Sequence, residues 1–98
     1  MIFLDSSFII ACKVVDDENH EKAMKHLYKF IENKENVAIS DYIFDEVVTV
    51  LFLKTKDLSI AIDTGNILKN STNLLKISEA IFEKTWESFK AQKNTKLS

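Results

Sequence analysis

Apolar residues fall along this chain in two rhythms. Met1 to Leu4, Val37 to Ile39 and Leu74 to Ile77 are short runs with little polar alternation, the pattern of strands buried on both faces of a parallel sheet. Between them apolar positions recur every three or four residues, the period of helices packed on one side. Phe8 to Cys12 fits a short helix that folds straight back on the first strand. Glu18 to Asn33 brings Ala23, Met24, Leu27, Tyr28 and Ile31 to one face, with Asp16 or Asp17 as its cap. Glu18, Glu21, Lys22 and Lys25 populate the solvated face. Asp41 to Lys54 carries Phe44, Val47, Val48 and Leu51 on one stripe, widened by Ile43, Val50 and Leu53. A helix apolar over so much of its circumference is expected between other elements. Asp57 to Lys69 is amphipathic around Leu58, Ala61, Ile62, Gly65 and Leu68. Gly65 costs roughly 1 kcal/mol against alanine inside a helix, which predicts a neighbouring element in close approach. Ser78 caps a last helix bearing Ile81, Phe82, Trp86 and Phe89, and Ala91 to Ser98 reads as a loop.

Strands alternating with helices predict an α/β fold, a parallel sheet with right-handed crossovers and helices on both faces. A helical bundle is the main competitor, because every strand run is short. Ninety-eight residues, 46% apolar and 29% charged, suit one globular domain spanning 1–98. With one glycine and no proline, turns fall to the Asn, Asp, Ser and Lys clusters at Asp16–Asn19, Asn33–Asn36, Lys54–Asp57 and Asn70–Asn73. The net charge is −2 and all 13 basic residues are lysines. Bulk attraction therefore cannot hold a nucleic acid, and one would need a local site. Cys12 is the only cysteine, which excludes an internal disulfide and a cysteine-based zinc site and suits a reducing cytosol. The longest near-apolar stretch, Val47 to Leu53, is too short to span a bilayer, and no basic region precedes the opening run. A cytoplasmic protein without a membrane partner is expected.

Two acids stand out. Asp5 ends the first strand, and in open α/β sheets the ligand crevice lies outside the carboxyl ends of the strands. The same Asp5, followed by Ser6 and Ser7, is equally well suited to cap the next helix, and both readings stay open. Glu46 interrupts the most apolar helix, where a carboxylate calls for a partner or a metal, or else lies on a half-exposed face. Asp45, about 100° around the helix, reads as a plain surface acid.

These residues carry a resemblance. Phe3-Leu-Asp5-Ser-Ser-Phe-Ile-Ile-Ala11, Asn19-His-Glu-Lys-Ala23, Ile39-Ser-Asp-Tyr-Ile-Phe-Asp-Glu46-Val-Val-Thr-Val-Leu51, Trp86-Glu-Ser-Phe89 and Lys96-Leu-Ser98 follow one another as in the PIN-domain family. The chain resembles most its archaeal and bacterial members similar to VapC toxins. The resemblance implies a Rossmann-like fold and a metal-dependent endoribonuclease. It further implies Asp5 and Glu46 as metal-binding acids for Mg²⁺ or Mn²⁺, Ser6 or Ser7 as the supporting hydroxyl, RNA as substrate and an antitoxin as possible partner. Such ions prefer hard oxygen ligands and keep several waters when few carboxylates hold them. His20 matches a recurrent family position and reads as structural. The family pattern continues beyond Lys96-Leu97-Ser98 into a further aspartate, a helix and a strand, so the chain resembles a PIN fold that is C-terminally truncated. Two carboxylates hold an ion more weakly than three or four. By the family's strand order, Met1 to Leu4 would then be an open edge, and pairing with a second copy or a complementing segment through it is expected. The alternatives are a catalytically degenerate interaction or dimerisation module on the same fold, and a small helical adaptor.

Overall fold

The structure is a computed structural model and describes residues 1–91. Lys96-Leu97-Ser98 and most of the tail expected as a loop lie outside the described residues. The elements run β1 (Ile2–Phe3), α1 (Ser6–Lys13), α2 (His20–Glu32), β2 (Val37–Ser40), α3 (Asp41–Thr55), α4 (Leu58–Ser71), β3 (Asn73–Leu75) and α5 (Glu79–Lys90). All three strands are parallel in the order β1-β2-β3, with Phe3 beside Ala38 and Ile39 beside Leu74. The sheet excludes the helical-bundle reading. Two hydrogen bonds seat β1, from the Ile2 amide to the Asn36 carbonyl (2.8 Å) and from the Leu4 amide to the Ala38 carbonyl (3.1 Å).

The core lies where α1, α3 and α4 pack on β2. Ile9, Ile39, Val47, Leu51, Ala61 and Leu68 form one buried cluster, with Leu4, Phe8, Phe44 and Leu74 packed against it. Two apolar stretches are less buried than their sequence suggests. β1 is an edge strand, not one covered on both faces, and leaves Phe3 67% exposed. On α3 only Val47 and Leu51 are fully buried, while Leu53 is 67% exposed, so this helix is not enclosed on all sides. A three-stranded sheet has two edges and covers one stripe of a helix. α5 buries no residue at all. Its Trp86 and Phe89 rings stack on each other at 5.8 Å, with the Lys90 ammonium over the Trp86 ring.

Local chemistry sets the helix ends. Ser40 accepts from the Ile43 amide at 3.1 Å and Ser78 from the Ile81 amide at 3.2 Å, the side-chain caps that start α3 and α5. At α2 the cap is Asn19, without a side-chain bond, and neither Asp16 nor Asp17. Asp17 instead closes the preceding turn by accepting from the Asn19 amide at 2.8 Å. Lys34 and Lys56 take left-handed backbone conformations, φ 52° and 55°, where glycine is usual. The chain's one glycine is needed elsewhere: a Cβ on Gly65 would stand 3.3 Å from both Phe44 and Val48, which is the close approach of α3 to α4 expected from its position.

Two predictions arise here. The Thr64 hydroxyl on α4 is buried and has no hydrogen-bond partner among the described residues. Replacing it by the isosteric valine removes an unpaid desolvation, so Thr64→Val is expected to raise stability by on the order of 1 kcal/mol. The measurement is a urea midpoint that moves up with unchanged slope; a lower midpoint would show that the hydroxyl has a partner. The second concerns Asp57, which caps α4 by accepting from the Ser59 hydroxyl (2.6 Å) and amide (3.0 Å). The Ser59 hydroxyl, helped by the Ser59 and Ile60 amides, holds this carboxyl below its ordinary 3.8. A depressed carboxyl contributes stability that is complete above the ordinary value and lost as pH falls through the lowered one. Ser59→Ala is therefore expected to flatten the loss of stability below pH 3.8, read as acid unfolding followed by circular dichroism.

Candidate active site

The sheet ends its parallel strands at one side, and the first acid stands there. Asp5 follows β1 and is the N-cap of α1. Its Oδ1 accepts from the Phe8 amide at 2.8 Å and from the Ser7 hydroxyl at 2.9 Å. Capping and crevice readings are thus compatible, because capping occupies one carboxylate oxygen. Among the described residues Oδ2 accepts no hydrogen bond. Asp5 and Ser7 open into a crevice of about 380 Å³ between α1, α2 and α3, whose other polar lining comes from Asp17, Asn19, Lys22, His26 and Lys54. Ser6, the first residue of α1, is half-buried and does not line it.

Glu46 is exposed on α3. It does not line the crevice; Val50, one turn further along the same helix, does. The first residue of α3 ties this helix to the segment after β3. Asp41 accepts from the Ile77 amide at 3.3 Å, fastening the loop between β3 and α5 to the start of α3. His20 is structural, as its sequence position suggested. Its Nδ1 lies 2.7 Å from the Ala11 carbonyl and must carry the proton, since a carbonyl only accepts. The bond joins the start of α2 to the last turn of α1, setting one crevice wall against another. Burial pushes the Cys12 thiol up from its ordinary 9.0, against the opposing effect of Lys13, so at neutral pH it is no thiolate nucleophile.

The oxygens of Asp5 and Glu46 are the donor type that Mg²⁺ or Mn²⁺ takes, and one or two carboxylates with waters and substrate phosphates is a common Mg²⁺ arrangement. Among the described residues no three His, Cys, Asp or Glu side chains converge to hold an ion. Lys22, His26 and Lys54 are lining residues that the sequence pattern missed. Lys22 and His26, spaced i and i+4, share a face of α2, whereas nothing local marks Lys54.

A second concavity, apolar and about 450 Å³, is walled by α1, α2 and α4 and includes Phe8, Ile9, Leu27, Phe30, Ile67 and Leu68. Among the described residues no helix is long and apolar enough to cross a membrane.

The whole chain superposes on the crystal structure of VapC20 from Mycobacterium tuberculosis, a sarcin-ricin loop cleaving toxin, with a TM-score of 0.74 at 21% identity. The match takes in 100% of this chain and 73% of that one. No curated protein sequence matches. A sequence model of the PIN domain family matches residues 2–97. With a parallel sheet of the same fold, an acid at the end of its first strand and a family match over nearly its full length, the chain belongs to the PIN domain family.

Proposed function

We propose that this protein is a metal-dependent endoribonuclease of the VapC toxin type, acting in the cytoplasm on RNA phosphodiesters. The observation that carries the reading is Asp5: a carboxylate at the carboxyl end of β1 whose Oδ1 is fixed by α1, with Oδ2 left free beside an open crevice. Asp5 and Glu46 would hold Mg²⁺ or Mn²⁺, with Ser7 fixing the Asp5 carboxylate and Ser6 as the neighbouring hydroxyl. A divalent ion bound there supplies charge stabilisation at the phosphoryl group and activation of water. The Phe8 amide and Ser7 hydroxyl keep Asp5 from rotating, so its free oxygen need not be ordered during reaction. The test is cleavage of a panel of structured and unpaired RNAs with Mg²⁺ or Mn²⁺. Cleavage lost on chelation and in Asp5→Asn supports the reading; equal cleavage by the variant rejects it.

An antitoxin-like partner belongs to this proposal. The concavity walled by α1, α2 and α4 offers an apolar groove of the kind in which an amphipathic helix is received. The alternative is a PIN fold without catalysis that serves as an interaction or dimerisation module. It is favoured by the open side of β1, by the exposed aromatic face of α5 and by the lack of a three-acid cluster among the described residues. Concentration-dependent self-association with no cleavage under either metal would decide for it.

A further inference from the structure

We propose that Lys22 and Lys54 form a phosphate seat that draws an unpaired RNA strand into the Asp5 crevice and positions it there. The inference deepens the nuclease reading and rests on it. Both lysines line the crevice that contains Asp5, one from α2 and the other from α3. Neither is held in an ion pair among the described residues, where the one ion pair joins Lys90 to Glu87. A lysine on a convex surface is ordinarily just solvated. Two unpaired lysines on the walls of one concavity are different, because low-dielectric walls concentrate their field on whatever enters.

The crevice's other titratable groups are Asp5, Asp17 and His26. The two lysines thus offset the two carboxylates at the one place where a polyanion must approach a chain of net charge −2. With no arginine in the sequence, any phosphate contact is made by a point charge and not by a bidentate fork. Such contacts position a strand without reading its bases. Lys54 lies eight residues from Glu46 on α3, about 12 Å along the helix axis. It therefore holds a phosphate away from the bond to be cut, as a positioning residue. A crevice of about 380 Å³ admits one strand and not a duplex.

The experiment measures binding and not turnover. A fluorescent single-stranded RNA is titrated with the full chain at several salt concentrations in EDTA, where no divalent ion is present to activate water for cleavage. For a single strand each phosphate contact contributes about 0.7 to the slope of log K against log salt. The Lys22→Gln/Lys54→Gln protein is expected to lose about 1.4 in slope, roughly a sevenfold smaller change in affinity between 50 and 200 mM salt. Lys22→Arg/Lys54→Arg is expected to keep the slope, which a merely structural role for the lysines does not predict. A duplex of the same length should show no dependence on either pair. An unmoved slope in the glutamine variant, or no binding of the strand by the unaltered protein, overturns the proposal. The two readings fail separately: Asp5-dependent cleavage with an unmoved slope removes only the lysine seat. A lysine-dependent slope with cleavage indifferent to Asp5 removes only the nuclease assignment.

Discussion

RNA cleavage by Asp5→Asn is expected to fall by at least about a hundredfold while its melting temperature stays where it was. A lost carboxylate ligand removes several kcal/mol of charge stabilisation, and each 1.36 kcal/mol is about a factor of ten in rate. Stability is spared for a local reason. The Asp5 oxygen that caps α1 by accepting from the Phe8 amide at 2.8 Å has an equivalent in asparagine, which caps helices equally well. Asp5→Ala separates the two roles, because it also removes the cap, at a cost of about 1 kcal/mol. Glu46→Gln is expected to follow Asp5→Asn in activity without loss of stability, since its side chain is exposed. The assay is initial cleavage rate under Mn²⁺ beside a thermal melt of each variant. A melt that falls as far as the rate would assign Asp5 to folding alone.

Leu51→Ala is expected to cost 2 to 5 kcal/mol, roughly the range seen for buried leucines. Leu51 is completely buried in the cluster of Ile39, Val47, Ala61 and Leu68, so truncation leaves a cavity that neighbours on three elements must close around. A chain of this size has a total stability of about 5 to 15 kcal/mol, so the loss is a large fraction of the whole. Leu53→Ala, two residues along the same helix, is expected to change stability by no more than about 0.5 kcal/mol, because Leu53 is 67% exposed. Urea unfolding of the pair checks both. Similar losses for the two would mean that α3 is enclosed all round, as its apolar sequence alone suggests.

The two leucines show how far the sequence could be read. Apolar spacing located every helix to within a few residues, because a packed helix must repeat its apolar positions at its own period. The sequence places β3 one residue late at its start and two late at its end. The apolar run is Leu74 to Ile77, but the ladder pairs Asn73 to Leu75 and leaves Ile77 to bond with Asp41. The hydroxyl cap Ser78 was legible because capping is local chemistry. The α2 cap was misplaced, since Asp17 serves the turn before the helix instead. Asp5 was legible as a candidate because it combines a cap with the end of a strand. Lys22 and Lys54 were not, since a lysine reads alike on any solvated face until another element arrives opposite it.

By itself, then, the sequence determined what depends on neighbours a few residues apart: helix periods, most caps, the parallel α/β order and the placing of Asp5 after the first strand. Only the tertiary structure decided which apolar residues are covered and which polar ones share a crevice. Leu51 is buried and Leu53 is not; Lys22 and Lys54 come to line one wall each although 32 positions separate them. Burial and electrostatic focusing depend on distance through space, and that distance is fixed only when separate helices pack on the same sheet.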